Sequence, residues 1–198
     1  MLKETHLVVG IAATLTLLRP DSLEIAVPVT FAAACGSIIS DIDSDMSGAR
    51  KSADVFTSVS ILAFILLFIL EKVFGFSLSE KIMENQEIAI RILAVMAFLA
   101  ICAIGKILSH RTFMHSIVAG ILLSTCLFLA ISKLIAISFF SAFLSHLALD
   151  LMNRKGIRIF WPVKDFVCLN FCDSDGIINK IFFIVGTISA VKFFIMCT

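Results

Sequence analysis

Four short stretches of the sequence carry side chains that hold divalent cations. They are "KETH" with His6, "SDIDSD" with Asp41, Asp43 and Asp45, "SHRTFMHS" with His110, Arg111, His115 and Ser116, and "SHLALDLMN" with His146, Asp150 and Asn153. All four histidines of the chain lie in these stretches. Imidazole and carboxylate together suit zinc, and also manganese or iron. His146 and Asp150 are spaced i, i+4, so they leave one face of a helix. The pair could share one ion or bind two adjacent ones. Asp41 and Asp43 could each grip a separate ion or bridge two. Two metals about 3.5–4 Å apart activate water and clamp a phosphoryl oxygen. Plainer readings stand beside these: an interfacial His6, a helix end capped at Asp41, and a buried hydrogen-bonded His146–Asp150 pair. "DIDSDMSG" falls short of a calcium loop, because Met46 stands where glycine is needed and Ser52 where a bidentate glutamate is needed. The motifs HExxH, GxSxG, Walker A and GxGxxG do not occur in the sequence.

These residues need a scaffold, and composition says which. The chain has 198 residues, 60% of them hydrophobic and 16% charged, with a mean hydropathy of +1.06. Soluble domains are about 45–50% apolar and about 25% charged. The expected class is one all-α domain over residues 1–198, a polytopic transmembrane helical bundle. Apolar windows run from His6 to Leu18, Leu23 to Ser40, Ala53 to Leu70, Ile88 to Leu108, Ile117 to Ser132, Leu134 to Leu151 and Ile177 to Met196. Read against a spanning length of about 17–25 residues, they suggest about seven spans. The apolar run at the N-terminus ends at Arg19–Pro20 with no A-x-A site, so it reads as a retained helix. The net charge of +1 and the lack of a basic run exclude a nucleic-acid partner. Cys168 and Cys172 are one helical turn apart, a weak metal or disulfide signal. The stretch "NRKGIRIFWPVKDFVCLNFCDSDG", with its basic and aromatic residues, suits a segment lying at the membrane interface.

The four polar stretches are separated by even numbers of expected spans, which brings all four to one face of the membrane. The loops expected on the other face contain no histidine. On the polar-stretch side lie Lys3, Arg50, Lys51, Lys106, Arg111, Arg154, Lys155, Arg158, Lys164 and Lys180. The other side has Arg19, Lys72, Lys81, Arg91, Lys133 and Lys192. Ten against six places the polar stretches on the cytoplasmic face by the positive-inside rule.

The ordered set "TH", "G-x-x-x-x-D-x-D", "H-R-x-x-x-H-S" and "H-x-x-x-D-x-x-N-x-x-G" followed by "WP" resembles the bacterial YdjM-like family of inner-membrane, metal-dependent hydrolases, from about Thr5 to Pro162. The resemblance implies a multi-span helical protein of the inner membrane with a metal site at His6, Asp41, Asp43, His110, His115, His146 and Asp150. More distantly, the ligand types and their order look like the zinc phospholipase C and P1 nuclease group. The chain departs from the family pattern at "RTFMHS", where a small residue is expected after Arg111.

The function these readings suggest is hydrolysis of a lipid or lipid-linked phosphoester by water activated on one or two divalent ions, zinc foremost and manganese or iron next. Asp45 or a ligand-side carboxylate is the candidate general base. Arg111 would stabilise phosphate charge, and Asn153 and Ser116 would orient the ligands. The rival readings are a metal-ion carrier or sensor, with ligands near the bilayer midplane, and a structural bundle stapled by a closed metal site.

Overall fold

The structure, a computed structural model, describes residues 2–43, 84–173 and 176–197. The described chain is helical: α1 (Lys3–Leu18), α2 (Leu23–Ile38) with a 3-10 turn at Ile39–Asp43, α3 (Gln86–Ile107), a 3-10 turn at Phe113–His115, α4 (Ile117–Ala130), α5 (Lys133–Met152) and α6 (Ile177–Cys197). Among the described residues only two isolated bridges, Asn153 with Cys172 and Ile157 with Val167, have extended pairing.

The helix boundaries follow local chemistry. Arg19 in a left-handed conformation (φ 45°) and Pro20 after it end α1. Asn85, Ser116 and Ser132 cap α3, α4 and α5, their side-chain oxygens accepting from the N–H groups of Ile88, Ala119 and Ile135. Lys133, which separates the apolar windows Ile117–Ser132 and Leu134–Leu151, therefore opens α5.

Among the described residues four helices are long and apolar enough to cross a membrane: Leu23–Asp43, Gln86–Ile107, Lys133–Met152 and Ile177–Ile195. The expected seven is corrected accordingly. The windows at His6–Leu18 and Ile117–Ser132 become helices of 16 and 14 residues. At about 1.5 Å per residue these are short of a hydrocarbon core about 30 Å thick. The window Ala53–Leu70 lies outside the described residues.

Helix α5 is the hub. It packs on α1, α2 and α4, while α6 packs on α1 and α3 on α4. Half of the α5 span is buried against 11% of the α6 span, so α5 is the interior helix and α6 lies on the outside of the bundle. Helices in a membrane approach where side chains are small. A Cβ at Gly36 would overlap the backbone carbonyl of Phe139, and one at Gly120 would overlap the Phe143 ring. Polar pairing adds to this, as Thr14 and Ser141 hydroxyls meet at 2.7 Å between α1 and α5. Below them Phe139, Phe143, Leu147, Met114, Leu123 and Ile42 form the apolar core.

Candidate metal centre

This packing gathers one end of each helix. His6 lies in the first turn of α1, and Asp41 and Asp43 lie in the turn that ends α2. His110 and His115 lie in the connection between α3 and α4, and His146 and Asp150 occupy the last turns of α5. All seven expected ligands converge. They form three groups whose donor atoms lie within 4.8 Å of one another: His6, His146 and Asp150; Asp41, His115 and His146; Asp43, His110 and His115.

His115 sits at the centre, fully buried. Its Nδ1 is 3.3 Å from Asp43 Oδ2 and its Nε2 is 3.4 Å from Asp150 Oδ2 and 3.8 Å from Asp41 Oδ1. Burial pushes the His115 imidazole toward neutrality, but the Asp150 and Asp43 carboxylates outweigh it and hold its pKa up to about 9. Across the cluster His6 Nε2 is 3.3 Å from Asp150 Oδ1, and the His6 and His146 rings stack at 4.0 Å. His146 Nε2 stands 3.8 Å from Asp150 Oδ2 and 3.9 Å from Asp41 Oδ1. His110, the most open of the four imidazoles, contacts Asp43 Oδ1 through Nδ1 at 2.6 Å.

The donor set fits a divalent cation. Nine buried side-chain polar atoms among the described residues have no hydrogen-bond partner, and four of them are His6 Nδ1, His115 Nδ1, His115 Nε2 and His146 Nε2. The close approaches of His115 to carboxylates are thus not aligned hydrogen bonds. Leaving so many buried donors and acceptors unmet is costly. An ion accepting one lone pair from each ring would remove much of the deficit. His146 is preset for this: its Nδ1–H donates to the carbonyl of Ser37 at 2.6 Å, which leaves the Nε2 lone pair pointing at the cluster.

Arg111 frames the cluster. Its backbone N–H donates to Asp43 Oδ2 at 3.1 Å, its Nη1 donates to the Lys155 carbonyl at 2.5 Å, and its Nη2 lies 3.9 Å from Asp150 Oδ2. The residue adopts φ 64°, a left-handed conformation unusual for a long side chain. The turn thus occurs at Arg111 itself, and Thr112 follows without needing to be small. Thr112 Oγ1 donates to the Ser109 carbonyl and braces the same turn.

The two expected supporting residues hydrogen-bond to the backbone beside the cluster. Ser116 Oγ donates to Phe113 O at 2.6 Å and accepts from Ala119, so it shapes the entry into α4. Asn153, buried at the end of α5, accepts on Oδ1 from the Arg154 N–H at 2.8 Å. Asp45, the candidate base, lies outside the described residues. Cys168 and Cys172 are both free thiols and not a bridge. Two positions escaped the sequence reading. One is the Ser37 carbonyl, a backbone group with no residue-type signature. The other is Asn179, buried near the start of α6, whose Oδ1 accepts from the Leu2 N–H at 3.2 Å and anchors the helix that carries His6. An asparagine inside "IINKIFF" was the signal.

Neither curated proteins nor solved structures show a match to this chain, so the distant likeness to zinc phospholipase C and P1 nuclease has no structural support. A helical membrane chain with convergent histidines and aspartates does match one family along nearly its whole length: over residues 1–197 it belongs to the YdjM inner membrane protein family.

Proposed function

We propose that the chain is a metal-dependent hydrolase of the inner membrane that cleaves phosphoesters of a lipid or lipid-linked substrate. The observation that carries this reading is the buried set of imidazole nitrogens without hydrogen-bond partners, flanked by three aspartates and one arginine at a single end of the bundle. His6, His146 and Asp150 would hold one divalent ion, zinc foremost. Asp43, His110 and His115 would hold a second where two are bound, with Asp41 between the groups. Such ions lower the pKa of a bound water and polarise a phosphoryl oxygen.

The residues of the chain do the rest. Asp41 is the most open of the three carboxylates, with its side chain 22% exposed, and is placed to take the proton of an attacking water. The Arg111 guanidinium, held by the Lys155 carbonyl at the edge of the cluster, lies where phosphate charge would develop. The Ser37 carbonyl keeps His146 in one tautomer. Among the described residues, Lys3, Lys106, Arg111, Arg154, Lys155, Arg158, Lys164 and Lys180 lie toward this end and Arg19, Arg91, Lys133 and Lys192 toward the other, so this end would face the cytoplasm.

A carrier would keep such ligands near the bilayer midplane. Their position in the first turn of α1 and the last turns of α5 favours chemistry at the membrane surface. The test is elemental mass spectrometry of detergent-purified protein, with release of phosphate, phosphorylated headgroup or headgroup alcohol from lipid phosphoesters measured on the loaded protein. One or two bound zinc, manganese or iron ions with such release support the reading. Bound metal without release from any phosphoester reduces it to a structural or carrier site, and a protein that stays metal-free after reconstitution ends it.

A further inference from the structure

Residues 153–172 leave α5 at Met152 and lead toward α6 at Ile177, two helices of membrane-spanning length, so the segment lies at the membrane surface. It is held in place. Leu169 and Phe171 donate their N–H groups to the carbonyls of Leu151 and Met152 at 2.7 and 3.0 Å, and Ile157 and Val167 exchange two backbone hydrogen bonds. It also abuts the candidate metal centre. Arg158 N donates to the Arg111 carbonyl at 3.0 Å, and Ile117 N donates to the Ile159 carbonyl at 3.0 Å. The Trp161 ring meets Phe113 edge-on at 5.1 Å, two positions before His115.

The outward side chains are unlike those of a water-facing loop. Phe160, Val163, Phe166, Leu169 and Phe171 are each more than half exposed, at 62, 53, 53, 52 and 67%. Cations are interleaved with them. Arg154 is paired with Asp173 at 2.8 Å, while Lys155 and Lys164 are exposed. The Arg158 guanidinium rests 4.7 Å over the Phe166 ring, and its Nε is buried without a hydrogen-bond partner. Apolar side chains with basic neighbours are the composition of a segment that sinks into the headgroup–acyl boundary. Its cations favour anionic headgroups over zwitterionic ones, by on the order of fivefold for each basic residue near the surface.

We propose that residues 153–172 form a docking surface for anionic phospholipid headgroups, with Lys155, Arg158 and Lys164 as the cations, and that it presents one such headgroup to the neighbouring His/Asp cluster. The second half rests on the hydrolase reading and names its substrate class; the first half does not.

Trp161 is the only tryptophan of the chain, so its fluorescence reports on this segment alone. The experiment reconstitutes the full chain in nanodiscs containing brominated phosphatidylglycerol or brominated phosphatidylcholine at equal mole fraction. The proposal expects quenching of Trp161 by both, stronger by about twofold or more with the anionic lipid. The excess should vanish in Lys155→Gln/Arg158→Gln, while quenching by the zwitterionic lipid persists. Lys164→Gln, on the exposed surface, provides a milder version of the comparison should the double variant fail to fold. No quenching by either lipid, or equal quenching by both in the wild type, overturns the proposal. Release of glycerol or glycerol phosphate from the phosphatidylglycerol is read on the same samples. An anionic preference without release keeps the docking surface and removes the substrate assignment.

Discussion

The imidazole of His146, in α5, is tied by its Nδ1–H to the backbone carbonyl of Ser37, in α2, across 2.6 Å. The bond exists because α2 lies close against α5 at Gly36, where a Cβ would overlap the Phe139 carbonyl. A glycine in one helix therefore sets the orientation of a histidine in another. Gly36→Ala should push the helices apart and cost about 1–3 kcal/mol of stability. Loss of the orienting carbonyl should also weaken metal binding about 10–100-fold. Melting temperature and metal titration on one preparation test both effects. Unchanged affinity in a destabilised variant would show that the carbonyl does not orient the ligand.

His115 carries the pH dependence. Its pKa in the folded, metal-free protein is held up to about 9, above the ordinary value of 6.5. A raised pKa stabilises the fold fully below the unfolded value. That contribution is lost as pH rises from about 6.5 through about 9. The metal-free protein should thus lose melting temperature across this window. The metal-loaded protein should move the other way, because an ion must displace the same proton. Calorimetry at pH 7.5 in buffers of different ionisation enthalpy should record close to one proton released at His115 when the group of Asp43, His110 and His115 is filled. No proton release would remove His115 from the ligand set.

Arg111 is expected to serve catalysis through its fork of donors, which lysine lacks. Arg111→Lys should keep bound metal yet lower phosphoester hydrolysis by about 10²–10³-fold. Loss of metal in this variant would recast Arg111 as a brace, acting through its guanidinium contacts with the Lys155 carbonyl and Asp150.

Asn179→Ala removes the acceptor for the Leu2 N–H at the start of α1. The first turn should fray and His6 should withdraw from Asp150. An affinity loss of about tenfold is expected at the group of His6, His146 and Asp150. Manganese-loaded protein, followed by electron paramagnetic resonance during titration, separates that group from the one at Asp43 and His110. Equal weakening of both would show a general loss of fold instead.

The ligands were legible because their chemistry is rare in such a hydrophobic chain. Four histidines and paired aspartates stand out where nearly everything else is apolar. Their convergence did not depend on the number of spans, since each stretch adjoins a helix end and the helix ends meet. Span number was less legible because hydropathy marks where apolar residues run, not how long the resulting helix is. The run from His6 to Leu18 looks like a membrane segment, but Arg19 and Pro20 close its helix at 16 residues. The 3-10 turn at Ile39–Asp43, in contrast, extends α2 to a 21-residue span. Contacts made by backbone atoms, such as the Ser37 carbonyl, have no sequence signature. They became visible only once α2 and α5 were seen side by side.

His6 and Asp150 meet at 3.3 Å although 143 residues of chain separate them. A chain entering the membrane from its N-terminus exposes His6 first and completes Asp150 only after five of the six described helices have been made. Until then His6 lacks His146 and Asp150, so that group is incomplete on any partial product, whereas Asp43, His110 and His115 all precede α5. An ion in the group of His6, His146 and Asp150 would therefore report that α1 and α5 have been brought together.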